Sequence, residues 1–214
     1  MKKYYPTQKL IINADDYGLS KSFNKGILEL ISNGIVTSVS VMILRPFVFL
    51  DDFSNKSNIS IGLHLELEGK DVEEEIEKQF DLFKKVFKKY PSHLDGHQHC
   101  HIFPENIQIV ADFAKKHNIP VRSRFNEDRI FFRKKGLKSP DDFISWHPIG
   151  TKKLLDKIRM LKDGTFELVC HPGYYDEKSK EVYNSRRYEE LEFLKSDIFK
   201  KSIKKFKLIN YYEL

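Results

Sequence analysis

An α/β barrel of parallel strands, complete or lacking a unit, is the fold class these 214 residues predict, and three features carry that expectation. Short apolar or β-branched runs alternate with longer stretches of helical periodicity, as strand–helix units require. The first two runs are apolar almost without interruption, which suits strands buried on both faces of a parallel sheet. The length also accommodates roughly six or seven units of about 30 residues each. An open doubly wound sheet shows the same alternation and stays as the competitor.

Strands are expected at Lys9–Asn13, Thr37–Ile43, Ile59–Leu67, His93–Asp95, Val121–Phe125 and Phe166–Cys170, from their β-branched and apolar content. Ser20 stands where it can cap a helix through FNKGILELISN, and Gly34 stands where a left-handed terminating residue belongs. Further helices are expected at Val72–Lys89, at Pro104–His117 with the proline in the first turn, at Lys152–Leu161 and at Arg186–Lys205. The segment from Asn126 to Gly150 is the least regular and reads as a long loop over one end of the sheet. With no repeat, low-complexity tract or linker, residues 1–214 are expected to form one domain.

The balance of 40% hydrophobic and 32% charged residues places the chain among globular proteins with a charged surface, away from collagen, coiled coil and disordered tails. No run approaches the roughly 18 apolar residues of a membrane span, and the start lacks the centre and cleavage site of a signal peptide, so a cytoplasmic protein is expected. Cys100 and Cys170 cannot build a disulfide framework or a Cys-rich zinc site. The net charge of +6 raises the question of a nucleic-acid partner. None is expected, because the lysines of Phe80–Lys89 and Lys200–Lys207 lie opposite the apolar face of amphipathic runs and no RNA motif or zinc finger accompanies them.

Acids and histidines gather at strand ends. Asp15 and Asp16 follow the first strand, where like charges this close need a cation or donors to neutralise one of them. On the third run His64 and Glu66 share one face and Leu63, Leu65 and Leu67 the other. The string from His93 to His101, HLDGHQHCH, would line up His93, Asp95, His97, His99 and His101 if it stayed extended. Burying so many imidazoles without partners is costly, which favours a metal or acid/base cluster. His171 follows the last strand in CHPG. If the strands are parallel neighbours, these groups converge at their carboxyl ends, where α/β folds place active sites. One Asp and two His suit Zn²⁺, Mn²⁺, Co²⁺ or Mg²⁺. Phosphate-loop, dinucleotide and serine-elbow motifs are absent from the sequence. Such a metal site makes hydrolysis available, and a phosphoesterase, an amidohydrolase and a non-catalytic sugar-binding module all stay open.

IINADDYGLSKSFNKGILELISNGIVTSVSVM, IGLHLEL, HLDGHQHCHIFP, IPVRSR, ELVCHPGY and YNSRRYEELEFL occur in this order across nearly the whole chain. Together they resemble the YdjC/ChbG-like carbohydrate deacetylases. That resemblance implies a distorted (β/α) barrel of about seven parallel strands, similar to the polysaccharide deacetylases, and removal of an N-acetyl group from an amino sugar or chitooligosaccharide. It implies one divalent ion, Mg²⁺ or Zn²⁺ with Mn²⁺ or Co²⁺ open as well, held by Asp16, His64 and His97. It further implies Asp15 as general base and His171 as general acid. Arg122, Arg124, Trp146 and Tyr174 are candidates for holding the sugar. Asp95, His99 and His101 are candidates for orienting the ligands, with His93 beside them, and His101 is also an alternative to His97. The partner expected is a small N-acetylated saccharide, with a homodimer left open. The stretch between Glu66 and Pro91 lacks a Thr-x-Gly-x-Pro-Leu type of loop common in the family, so the substrate rim is expected to be more open or partly supplied by a second subunit.

Overall fold

Polar and apolar residues alternate inside strands that are buried on both faces, and this sets the architecture. The computed structural model describes residues 8–56 and 58–214. In it β1 (Gln8–Tyr17), β2 (Ser38–Val41), β3 (Ser60–Leu65), β4 (Leu94–Gly96), β5 (Asp142–Ser145), β6 (Gly164–Cys170) and β7 (Lys207–Leu208) form one sheet. Every pairing is parallel, in the order β4-β3-β2-β1-β6-β5. The short β7 pairs with β1 at Lys9 and Leu10, ahead of the Asn13–Tyr17 stretch that pairs with β2. A parallel bridge from Leu94 to Val121 extends the sheet beyond β4, and the Val121 amide donates to the Lys138 carbonyl just before β5. The result is a curled, incomplete parallel barrel.

Its convex face is apolar. Leu10, Ile12, Ala14, Val39, Val41, Ile61, Leu63, Leu65, Leu94, Leu168 and Cys170 join one core cluster with the covering helices. The residues between them, Asn13, Asp15, Ser38, Ser40, Ser60, His64, Asp95 and Glu167, are equally buried, on the concave face. Burial on both faces thus holds, but the second face is packed with hydrogen-bonded polar groups instead of aliphatic ones. Ile11, Ile209 and Tyr211 form a small apolar cluster of their own.

Among the described residues seven helices surround the sheet: α1 (Lys21–Ser32), α2 (Val72–Phe87), α3 (Ile107–His117), α4 (Asn126–Lys134), α5 (Gly150–Met160), α6 (Arg187–Lys195) and α7 (Asp197–Ile203). Ser20 caps α1 by accepting from the Ser22 amide, and Asp71 caps α2 by accepting from Glu74. Among the described residues no helix is long and apolar enough to cross a membrane.

Four sequence expectations need correction. The segment from Asn126 to Gly150 is not one loop, because Phe132 and Ile144 are buried and carry α4 and β5. Val121–Phe125 supplies a single bridge at Val121 instead of a strand. The helix over Arg186–Lys205 breaks at Ser196, whose extended backbone ends α6 and whose hydroxyl caps α7 by accepting from Phe199. Helix α3 begins at Ile107, so Pro104 lies in the turn before it and not in its first turn. The string from His93 to His101 leaves strand geometry after Gly96, where Gln98 and His99 take φ of 51° and 62° and fold His97–Ile102 into tight turns.

Gly26 of α1 abuts the loop after β6 so closely that a β-carbon there would lie 2.6 Å from Gly173 Cα. Alanine in a helix is intrinsically favoured over glycine by about 1 kcal/mol, yet the obstacle is backbone and cannot rotate away. Gly26→Ala is therefore expected to lower stability by a net of about 1–3 kcal/mol in urea unfolding. A stabilised variant would show that the approach is looser than the structure places it.

Candidate metal centre

β1 delivers both acids of the Asp15–Asp16 pair to one place. Asp15 points to the concave face by strand alternation. The β1–β2 register then slips between Ala14 and Tyr17, and Asp16 takes a left-handed φ of 69°. That irregularity re-aims the second carboxylate, so both acids line the same cavity. Neither is more than 2% exposed.

Asp16, His64 and His97 converge, each offering one ligand atom within 4.8 Å of the others. His64 Nε2 lies 3.4 Å and His97 Nδ1 3.3 Å from Asp16 Oδ1. The other ring nitrogen of His64 meets Asp95 Oδ1 at 2.8 Å, which leaves Nε2 to face Asp16. One carboxylate and two imidazoles make a borderline-hard donor set that fits Zn²⁺, Mn²⁺, Co²⁺ or Mg²⁺. A second close group, Asp15, His64 and Asp95, has its donor atoms engaged elsewhere. Asp15 accepts from Arg122 at 2.7 and 2.8 Å and from Asn13 at 2.7 Å. Asp95 Oδ2 accepts from Ser40 at 2.6 Å and lies 2.7 Å from Arg122 Nη2. That group is a hydrogen-bonded network instead of a free ligand set.

The charges follow from burial and partners. Burial pushes the Asp16 carboxyl up, but the Arg187 guanidinium with His64 and His97 outweighs it and holds the group well below the usual carboxylate range. Burial alone would lower His64, yet Asp95, Asp15 and Asp16 raise it well above an ordinary imidazole. His171 is pushed down to about 4 by burial, against the pull of Asp16 and Asp15. Its Nε2 lies 3.9 Å from Asp15 Oδ2, and its backbone N–H donates to Glu190 at 3.0 Å.

The cavity above these groups measures about 380 Å³ and includes Arg124, His99, Phe143, His147, Glu181 and Tyr183 in its walls. The sugar-binding candidates separate. Arg124 lines the cavity. Arg122 does not: it is wholly buried, held by Asp15, Asp95 and Glu167, so its guanidinium is spent on the protein's own carboxylates. Tyr174 lies outside the lining, with its hydroxyl donating to Glu29 and Lys25 over its ring. Trp146 is buried and donates its indole N–H to Thr151.

The orienting candidates separate too. Asp95 touches His64 directly, whereas His101 is buried with Nε2 donating to the Arg122 carbonyl at 3.2 Å, and His99 packs against Phe143. His93 lies deeper, between Ser92 and Ser40 and stacked on Tyr211. Sequence reasoning missed Arg187, Glu190, Glu167 and the wall formed by Phe143, His147 and Tyr183. Arg187 and Glu190 do fall within YNSRRYEELEFL, but their charges there resemble a solvated helix face.

The sequence matches the profile of a family described as YdjC-like protein over residues 9–71 and 67–205. It is 31% identical over 227 residues to a carbohydrate deacetylase of Clostridium beijerinckii, covering 87% of this chain and 91% of that one. It is 28% identical over 241 residues to a chitooligosaccharide deacetylase of Yersinia enterocolitica, covering 91% and 93%. An Enterococcus faecalis crystal structure, provisionally described as a cellobiose-phosphate cleavage protein, superposes with a TM-score of 0.84 at 24% identity over 96% of this chain and 98% of that one.

Proposed function

Because the chain belongs to the YdjC-like protein family, we propose that it is a metal-dependent carbohydrate deacetylase, hydrolysing the N-acetyl group of an amino sugar or chitooligosaccharide. The observation that carries this reading is the juxtaposition of Asp16, His64 and His97 with the Asp15–His171 pair, 3.9 Å apart, at the floor of one cavity. Residues 1–214 are taken as one catalytic unit, with a small N-acetylated saccharide as partner.

In this reading Asp16, His64 and His97 hold a divalent ion, which when bound supplies Lewis acidity to a water and to the acetamide carbonyl. Asp15 accepts a proton from the attacking water. Arg122 grips both its oxygens, so the carboxylate cannot swing toward the ligand set. His171 delivers a proton to the departing nitrogen, without which the C–N bond does not break readily. Water and the acetamide give acetate and an ammonium, so both protons of the water end on nitrogen. Asp15 Oδ2 lies 3.9 Å from His171 Nε2, outside direct hydrogen-bond reach, so returning its proton to the imidazole requires the two groups to close that gap around the bound substrate. Burial leaves His171 neutral until that proton arrives. Arg124 and the Phe143–Tyr183 wall would hold the sugar.

The test is acetate release from N,N′-diacetylchitobiose by protein stripped with a chelator and then reloaded with Zn²⁺, Co²⁺, Mn²⁺ or Mg²⁺. Stripped protein is expected to be inactive and at least one ion to restore turnover. The ion should also raise stability by about 2.7 kcal/mol at a hundredfold excess over its dissociation constant. No acetate from a panel of N-acetylated sugars with any ion would sink the reading, and phosphate release from sugar phosphates would favour a phosphoesterase instead.

A further inference from the structure

Arg187, in the first turn of α6, is a wholly buried cation that the proposed reaction does not use. Its Nη2 donates to Asp16 Oδ2, its Nη1 lies 3.5 Å from the His171 carbonyl oxygen, and its guanidinium covers the Phe23 ring at 3.9 Å. Its own carbonyl accepts from the Gly173 amide at 3.3 Å. The side chain is therefore wedged between the end of β1 and the end of β6. With Oδ2 occupied, Asp16 presents Oδ1 to His64 and His97.

We infer that Arg187 is a positioning residue for the metal centre: it fixes the Asp16 carboxylate so that one chosen oxygen faces the cation, and it ties that carboxylate to the main chain bearing His171. This rests on the reading of Asp16 as a ligand. Two effects compete. A guanidinium beside a cation site repels the ion, so its loss could tighten binding. Against that, Asp16 occupies a left-handed backbone conformation and has no hydrogen-bond donor on Oδ2 other than Arg187 among the described residues. Without it the carboxylate is free to turn. With His64 neutral, as a ligand must be, Asp15, Asp16 and Asp95 outnumber Arg122 and Arg187, so the cluster attracts a cation with Arg187 in place. Holding the carboxylate in orientation therefore outweighs the repulsion.

The experiment is Zn²⁺ affinity measured by competition with a chromophoric chelator on wild type, Arg187→Met and Arg187→Lys, with circular dichroism on the metal-free proteins. The methionine variant should bind Zn²⁺ about 10–100-fold more weakly, with lysine intermediate because it keeps the charge and one donor. If methionine does not fold, the folded lysine variant carries the test, and it too must bind more weakly than wild type. Unchanged or tighter Zn²⁺ binding by a folded variant overturns the inference. Asp16→Asn in the same assay separates the two claims. If it loses Zn²⁺ while the Arg187 variants keep it, only the positioning role fails; if it binds like wild type, the ligand reading fails and takes the positioning role with it.

Discussion

Arg122→Met is expected to cost about 3–5 kcal/mol of folding stability, the usual penalty for removing one partner from a buried ion cluster. Arg122 is 0% exposed and forks across Asp15, reaches Asp95 at 2.7 Å, and donates through Nε to Glu167 at 3.0 Å. Deleting it leaves these buried carboxylates without the guanidinium that donates to them and balances their charge. Against a total stability of about 5–15 kcal/mol, such a loss is a large fraction of the whole. Thermal unfolding should move down by roughly 6–20 °C for a chain of this size. Arg122→Lys should recover part of this, because an ammonium restores the charge but cannot fork across Asp15. Had Arg122 held the sugar instead, methionine would raise KM and leave the melting temperature in place. A variant within about 1 kcal/mol of wild type in denaturant titration would therefore overturn the role given to this cluster.

Polar residues recur in the strands at a period of two, which was legible on the third run, where His64 and Glu66 share a face, but was hidden in the first two by their apolar content. Ser38 and Ser40 between Val39 and Val41, Gly62 and His64 between Ile61, Leu63 and Leu65, and Asp95 after Leu94 mark one face as polar, and that face proved to be the concave one. Strand alternation would place Arg122 and Arg124 on the same face, so nothing in VRSR says that only Arg122 turns inward; the backbone leaves strand geometry after the single bridge at Val121. The bulge that re-aims Asp16 leaves no mark on NADDYG beyond the adjacent acids. Helix α6 hid its contribution for a different reason. In RRYEELEFLK the charges outnumber the apolar residues, so Arg187 and Glu190 look like members of a watery face, yet both are buried against the strand ends. β5 was lost because only Ile144 in it is fully buried, among acids and turn-forming residues.

Glu190 shows how closely the buried charge and the proposed proton path are joined. Burial raises its carboxyl to about 8, while the His171 amide donates to one of its oxygens. A neutral carboxyl at neutral pH adds no negative charge behind His171. The acids that draw a proton toward that imidazole are then Asp16 and Asp15, the latter with an oxygen 3.9 Å from Nε2.

Under the proposed function, Asp15→Asn is expected to lower kcat by about 10²–10⁴-fold, which corresponds to about 2.7–5.5 kcal/mol of barrier. The amide keeps an oxygen to accept from Arg122 but loses the charge and the ability to take a proton. Zn²⁺ binding should survive, because Asp16, His64 and His97 form a triad without Asp15. His171→Ala should cost a similar factor with the fold intact, as the ring is 17% exposed toward the cavity and leaves no buried ion behind. If the two residues pass one proton between them, the double variant should be little worse than the poorer single one, since groups acting as a unit are strongly non-additive. Rate losses that multiply would mean Asp15 and His171 act on separate steps. Zn²⁺-loaded Asp15→Asn with turnover within threefold of wild type would remove Asp15 from the chemistry altogether.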